Sequence, residues 1–134
     1  MNRTILLSTL ALIFFFFALL PLHSQDELTA SKERGRAIYL GYCITCHQPQ
    51  GKGIEGVFPP LAGSDFLMAD KKRSIRIVKF GLEGEITVNG VTYNNFMSPL
   101  GLSDAEVADI LNFVRNSWGN EGEIVTVKEV GKVK

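Results

Sequence analysis

The 134-residue sequence has few of the side chains that are abundant in disulfide-rich or zinc-rich proteins, with two cysteines and two histidines. It also lacks an excess of charge of either sign, because 14 basic side chains are matched by 14 acidic ones. A balanced charge gives no signature of binding to nucleic acid or another polyanion. With 46% apolar residues, the composition indicates one ordered domain and excludes a disordered chain.

One long apolar run is present, at the N-terminus. Residues 5–20 are apolar except for Ser8 and Thr9, and Arg3 precedes them. This arrangement predicts a secretory signal over residues 1–24, and therefore an exported protein. Because about 20 apolar residues can cross a bilayer, an uncleaved membrane anchor is the alternative. The mature domain is predicted to span residues 25–134, with a C-terminal tail from about residue 120.

Cys43, Cys46 and His47 form the pattern Cys-x-x-Cys-His. Two thiols at this spacing can each form a thioether with one vinyl group of a haem, and the adjacent imidazole can bind the iron. The sequence therefore predicts one covalently bound haem c, with both cysteines as attachment points and His47 as an axial ligand.

Three other kinds of site compete with haem attachment. A thioredoxin-like dithiol requires a βαβ context, whereas a helical pattern precedes Cys43 and no parallel-sheet pattern follows. A zinc site requires four ligands, and removal of the signal, which contains His23, leaves two Cys and one His. A structural disulfide would close a very small loop and give His47 no role. The motif and the predicted export together favour haem.

Hydrophobic periodicity and capping residues predict a mostly helical mature chain. The predicted helices cover residues 29–42, 64–69, 70–80 and 104–118, with a short one in the tail, where valines recur at 127, 130 and 133. Their predicted caps are Thr29 or Ser31 for the first helix, Asp70 for the third and a Ser103–Glu106 capping box for the last.

The segments between the helices are of two kinds. Residues 48–63 contain four Gly and three Pro, which predicts an irregular loop. Residues 86–93 alternate apolar and polar side chains around Asn89-Gly90, and both positions of that pair tolerate the positive φ of a tight hairpin turn. A small β-hairpin is therefore predicted near residues 86–93.

The residue on the other face of the iron decides between electron transfer and ligand chemistry. The candidates are Met68 and Met97, and the ordinary role of a methionine is to pack in a core. Met68 falls in a predicted helix, whereas Met97 falls in an irregular segment that can present a side chain across a flat ring. Met97 is therefore favoured as the distal ligand. A neutral thioether favours Fe(II), which suits electron transfer.

With these elements in this order, the chain resembles the class I c-type cytochromes over residues 29–119. The Pro-Pro-Leu-Ala-Gly sequence of residues 59–63 is similar to a loop of that family, and the resemblance implies that the Pro59 carbonyl accepts the Nδ1–H of His47. Ser98 is a departure, because many members have Pro after the methionine.

The resemblance also implies the fold, an all-α class I cytochrome c fold wrapped around one haem. In that family the first and last helices cross, which would bring Gly35 and Tyr39 against Ile110 and Phe113. The implied function is that of an exported monohaem one-electron carrier, a monomer and not an enzyme. It would lie in the periplasm or on the outer face of the cytoplasmic membrane, and would contact the membrane only if residues 1–24 were retained.

The implied partners are other redox proteins, of the dehydrogenase, copper nitrite reductase or haem-copper oxidase type. Two alternatives remain. One is a haem enzyme or gas sensor with a displaceable distal ligand. The other is a membrane-tethered cytochrome subunit of a dehydrogenase or oxidase complex, in which the chemistry is the same and only the location changes.

Residues 71–79 contain five basic side chains. They are Lys71, Lys72, Arg73, Arg76 and Lys79. Such a run is predicted to be a solvated helix face, and a docking surface for an acidic partner is the alternative. Partner contact is instead predicted at the apolar residues around the open haem edge, which are Ile44, Phe96, Pro99 and Leu100.

Overall fold

A computed structural model describes residues 25–134 of the chain. The predicted signal at residues 1–24 lies outside the described residues. Contacts divide the chain into a unit of residues Met1–Ala30, of which residues 25–30 are described and helical, and a unit of residues Ser31–Lys134. Among residues 25–134, no helix is both long enough and apolar enough to cross a membrane.

The described chain is mostly helical, with one small sheet. In chain order its elements are α1 (residues 25–42), α2 (Ile44–His47), α3 (Asp65–Ala69), α4 (Lys71–Phe80), β1 (Glu85–Val88), β2 (Val91–Asn94), α5 (Asp104–Val114) and α6 (Val127–Gly131). The strands pair antiparallel, with Val88 opposite Val91 at the turn. The predicted all-α class with a hairpin near residues 86–93 is confirmed.

Local side-chain chemistry sets several of these boundaries as predicted. The Asp70 side chain accepts the Arg73 N–H at 2.9 Å and begins α4, and Gly81 ends it at φ 81°. Asn89 and Gly90 form the hairpin turn with φ values of 50° and 80°. Short-range signals therefore fix the elements that later form the site.

Helices α1 and α5 lie in direct backbone contact at Gly35. A Cβ at this position would overlap the Asp109 carbonyl oxygen, so glycine permits the close approach. One turn further along α1, the Tyr39 ring lies 5.4 Å from the Phe113 ring and 5.1 Å from the Trp118 ring. This contact holds the end of α1, from which Cys43 follows, against the core.

Two predicted helix ends are wrong. Residues 25–28 are already helical, so neither Thr29 nor Ser31 begins α1, and the Ser31 hydroxyl instead donates to Asp109 Oδ1 at 2.6 Å. The last long helix ends at Val114 and not at Trp118. Trp118 adopts a positive φ of 55°, because its ring packs against Tyr39 and against the backbone of Gly51. Tertiary packing therefore overrides the helical periodicity.

The tail forms the short helix α6, which begins with a capping box between Thr126 and Glu129 that was not predicted. Its buried face also differs from the expected one. Val125, Val130 and Val133 are buried, whereas Val127 is half exposed. The tail is therefore part of the core and not a loose extension.

Basic side chains of α4 hold this tail in place. Lys71 Nζ lies 2.7 Å from a Glu129 carboxylate oxygen. Lys79 Nζ donates to the carbonyls of Val130 and Val133 at 3.2 Å each and pairs with Asp104 at 2.9 Å. The prediction that Lys79 faces solvent is therefore wrong, because its side chain is 16% exposed.

Candidate haem site

The end of α1 and the whole of α2 present the Cys-x-x-Cys-His segment. The Cys43 N–H donates to Tyr39 O at 2.9 Å, and the His47 N–H donates to Cys43 O at 2.9 Å. This turn places the two thiols one helical turn apart, on the same side of the backbone. Both cysteines are free thiols, with Cys43 buried and Cys46 partly exposed.

Burial, followed by the electrostatic effect of the neighbouring Cys46, raises the pKa of the Cys43 thiol to about 11. Cys43 is therefore a neutral thiol at neutral pH. That is the protonation state expected of a buried sulfur that has no cationic partner. Its surroundings do not activate it as a thiolate nucleophile of the dithiol-redox type.

His47 is oriented by the irregular loop that follows it. Its Nδ1 lies 3.0 Å from the carbonyl oxygen of Pro59, so Nδ1 carries the proton in this contact and Nε2 keeps its lone pair. Burial lowers the pKa of His47, and the hydrogen bond to Pro59 opposes that shift. The imidazole is therefore neutral at neutral pH, as a metal ligand must be.

Met97 lines the same cavities as His47 and comes from a different part of the chain. Its segment is not wholly irregular, because Met97 and Leu82 form an isolated antiparallel bridge. Gly81 at a positive φ packs so closely beneath it that a Cβ would overlap the Met97 carbonyl oxygen. The backbone at Met97 is thus fixed from two sides, whereas Met68 packs against the core cluster.

His47 and Met97 line the same two adjoining cavities, which have volumes of about 90 and 220 Å³. Cys43 lines both cavities and Cys46 lines the second. The structure therefore brings together the four residues that the sequence singled out, although Met97 is more than fifty positions from Cys43.

The walls of these cavities are mainly apolar. The deeper cavity is closed by side chains from α3, α4, β1 and α5, among them Leu67, Val78, Val88 and Leu111. The outer cavity opens between aromatic residues, and Tyr42 and Phe96 at its rim are about 60% exposed. An apolar slot with an imidazole, a thioether and two thiols on its walls fits a haem c, which needs those donors and a low-dielectric pocket.

Sequence reasoning missed the residues that hold the loop around His47. The Tyr39 hydroxyl donates to Gln48 O at 2.6 Å, and the Asn120 side chain bonds the far end of the loop. Tyr39 lies one turn before Cys43 on α1, a spacing that could have indicated its role. No comparable signal marks Asn120, because it follows a predicted helix end in an unpatterned stretch.

Comparison with known proteins finds relatives over most of the chain. Residues 32–118 match the family model described as Cytochrome c. The chain is 37% identical over 117 residues to cytochrome c-552 of Thermus thermophilus, covering 80% of this chain and 78% of that protein. It is 33% identical over 105 residues to the cytochrome c subunit of the quinone alcohol dehydrogenase of Gluconobacter oxydans, and 32% identical over 125 residues to the cytochrome c subunit of the gluconate 2-dehydrogenase of Pantoea cypripedii. These two matches cover 75% and 83% of this chain, but 22% and 28% of the subunits.

Proposed function

The chain belongs to the cytochrome c family, which carries covalently bound haem c for electron transfer, and from that premise we propose that His47 and Met97 are its iron ligands. The observation that carries this proposal is that both side chains line the same two apolar cavities. We propose Cys43 and Cys46 as the attachment points, because their thiols lie one helical turn apart beside those cavities.

Each proposed site residue has a distinct task. When bound, the haem supplies a one-electron Fe(III)/Fe(II) couple. His47 offers a neutral imidazole whose orientation and basicity are set by the 3.0 Å contact with the Pro59 carbonyl. Met97 offers a soft neutral sulfur that favours the reduced state. Two fixed ligands of this kind change little between oxidation states, which keeps the reorganisation on electron transfer small.

The proposed activity is that of a one-electron carrier and not of an enzyme. Besides His47 and the cysteines, the cavity walls are formed by apolar side chains together with Tyr, Ser and Asn residues. Peroxide chemistry relies on a well-placed proton donor of suitable pKa near the distal face. Among the described residues that line the cavities there is no carboxylic acid and no second histidine, which favours electron transfer over the haem enzyme or gas sensor.

A second candidate keeps the same chemistry in a different assembly. Relatives of this chain include cytochrome c subunits of an alcohol dehydrogenase and a gluconate 2-dehydrogenase. The chain corresponds to about a quarter of each of those subunits, so it matches one part of them. We propose the free carrier as the first function, acting as a monomer in the periplasm, and a place in such a complex as the second.

The proposed partners are redox proteins of the dehydrogenase, copper nitrite reductase or haem-copper oxidase type. The rim residues Tyr42 and Phe96 expose apolar surface beside the outer cavity. A small apolar contact of this kind gives weak and transient binding, which a shuttle needs in order to leave after each electron. The proposed docking surface is therefore this rim.

Maturation of the chain with haem in a bacterial periplasm tests the proposal. The purified protein should gain the mass of one haem, keep it in acidified acetone and show a low-spin spectrum. Cys43→Ala and Cys46→Ala should each leave one thioether and lower the yield, and His47→Ala should abolish the low-spin spectrum. Haem that passes into the solvent, or a protein that holds zinc in its place, would contradict the proposal.

A further inference from the structure

We propose that Asn120 is a positioning residue for the haem ligand His47, acting through the loop that contains Pro59 and thereby lowering the reduction potential of the iron. This inference rests on the proposed function, in which His47 binds the iron. The juxtaposition that supports it is a buried amide from the C-terminal part of the chain, bonded to the loop two residues after Pro59.

The side-chain amide of Asn120 has all of its bonding groups in use. Nδ2 donates to the carbonyls of Leu61 and Val114 at 2.8 Å each, and Oδ1 accepts the Gly63 N–H at 2.9 Å. The residue is 8% exposed, so water cannot readily replace these bonds. Because Val114 is the last residue of α5, Asn120 ties the loop to the end of the best-packed helix.

The backbone between Leu61, which Asn120 bonds, and Pro59, which contacts His47, has little conformational freedom. Pro59 is two positions before Leu61, and the intervening Pro60 fixes its own φ and restricts Pro59 to extended conformations. Because these restrictions leave few backbone rotations that can absorb it, a displacement of the Leu61 carbonyl is expected to shift the Pro59 carbonyl as well. Such a shift would change the 3.0 Å contact between Pro59 O and His47 Nδ1.

A second tie keeps the loop folded when Asn120 is changed. The Gly51 carbonyl accepts the Leu61 and Ala62 N–H groups at 2.7 and 2.9 Å. Gly51 itself lies against Trp118, where a Cβ would come within 2.6 Å of the indole ring. Loss of the Asn120 bonds is therefore expected to shift the loop and not to unfold it.

The direction of the effect follows from the chemistry of the ligand. A strong hydrogen bond from Nδ1–H makes the imidazole a more basic ligand, and a more basic ligand stabilises Fe(III) relative to Fe(II). Weakening this bond by removing Asn120 should therefore raise the reduction potential. It should also speed exchange of the Nδ1 proton with solvent.

Asn116 provides a matched control at the same end of α5. Its side chain donates to Asn112 O and accepts the Gly122 N–H, both at 3.1 Å, so it bonds the helix and the tail but not the loop. Asn116→Ala removes an amide of the same size from the same region. This variant should lower thermal stability without changing the contact between His47 and Pro59.

The experiment compares holoproteins of the wild type, Asn120→Ala, Asn120→Ser and Asn116→Ala. The midpoint potential is measured by spectroelectrochemistry, and exchange of the His47 Nδ1 proton by NMR of the reduced form. Asn120→Ala should raise the potential and the exchange rate, and Asn120→Ser should fall between it and the wild type, because its hydroxyl can keep one bond. Asn116→Ala should change neither. The serine variant also provides the test if the alanine variant does not fold.

Two results would overturn the inference while leaving the proposed function intact. One is an Asn120 variant that melts at a lower temperature but keeps the wild-type potential and exchange rate. The other is an equal shift of the potential and the exchange rate in Asn116→Ala, which would indicate a general loss of packing at this end of α5. A wild type without covalent low-spin haem would instead overturn the proposed function, and this inference with it.

Discussion

Met97 and Leu82 exchange two backbone hydrogen bonds, each 2.9 Å long, although fifteen positions separate them. This bridge fixes the main chain at Met97, which lines the same cavities as His47. If Met97 binds the iron as proposed, a backbone fixed in this way would not have to rearrange when the iron changes oxidation state. The same bridge explains how Met97 can have a fixed backbone position although its segment forms no regular helix or strand.

We therefore predict that Met97 and not Met68 supplies the sulfur ligand. The oxidised wild type should show a weak sulfur-to-iron band in the near-red, and this band should disappear in Met97→Ala. Met68→Leu is the control, because Met68 packs in the core, and it should keep the band. Met97→His should keep a low-spin iron with a lower potential, since imidazole stabilises Fe(III) more than a thioether does. Loss of the band in Met68→Leu would reverse the assignment.

Gly35→Ala should destabilise the protein, because its Cβ would overlap the Asp109 carbonyl and push α1 from α5. Overpacking of this kind typically costs about 1–3 kcal/mol. Gly41→Ala is the matched control on the same helix, since a Cβ there has nothing within 4 Å, and it should be neutral or stabilising. Denaturant unfolding of the two holoproteins measures the difference. Equal effects would argue against close packing at Gly35.

The ion pair between Lys71 and Glu129 should make part of the stability depend on pH. The hydrogen bond from Lys71, followed by that from the Thr126 backbone, lowers the pKa of Glu129 to about 2. A depressed carboxyl pKa stabilises the fold above the unfolded pKa of about 4.3, and this contribution is lost as the pH falls towards the folded value.

Glu129→Gln should therefore melt below the wild type at pH 7, and the gap should narrow as the pH falls from about 4.5 to 3. The effect is expected to be small, because the Glu129 side chain is 37% exposed and the pair is screened by solvent. Glu121→Gln changes an exposed carboxylate of the same tail and should show no such gap. A gap that stays constant over this range would exclude the ion pair as its source.

Electron transfer to the physiological partner should depend little on salt. Lys71, Arg73 and Lys79 are bonded within the protein and are partly buried, which leaves Lys72 and Arg76 as the exposed residues of the basic run. In stopped-flow measurements the rate should change only a few-fold over a moderate range of ionic strength. The double variant Lys72→Glu, Arg76→Glu should have little effect on it. A steep salt dependence that this variant removes would place docking on α4.

The mature protein from its native host should begin near Gln25 and separate with the soluble exported fraction. The reason is the charged, apolar and small-residue pattern of residues 1–24. N-terminal sequencing and fractionation provide the measurement. Recovery of the intact N-terminus in membranes would favour the tethered subunit.

Short-range patterns in the sequence are sufficient to predict the haem chemistry and several element boundaries of this protein. Cys43, Cys46 and His47 are adjacent in the chain, so their spacing alone predicts haem attachment. Asp70, the Asn89-Gly90 pair and the Ser103 capping box act within four residues, and the structure has each of these features in place. Such features can be predicted from sequence because both partners of each contact lie within a few residues of each other.

Contacts between distant segments could be identified only in the folded chain. Asn120 bonds residues 57 and 59 positions away, Trp118 leaves the helical pattern to pack on Gly51, and Lys79 turns from solvent to the tail. None of these roles follows from local propensity, because each depends on which surfaces meet after the helices have packed. A buried polar group bonds to whichever partner the packed surfaces place beside it, because leaving the group unpaired would cost about 1–3 kcal/mol.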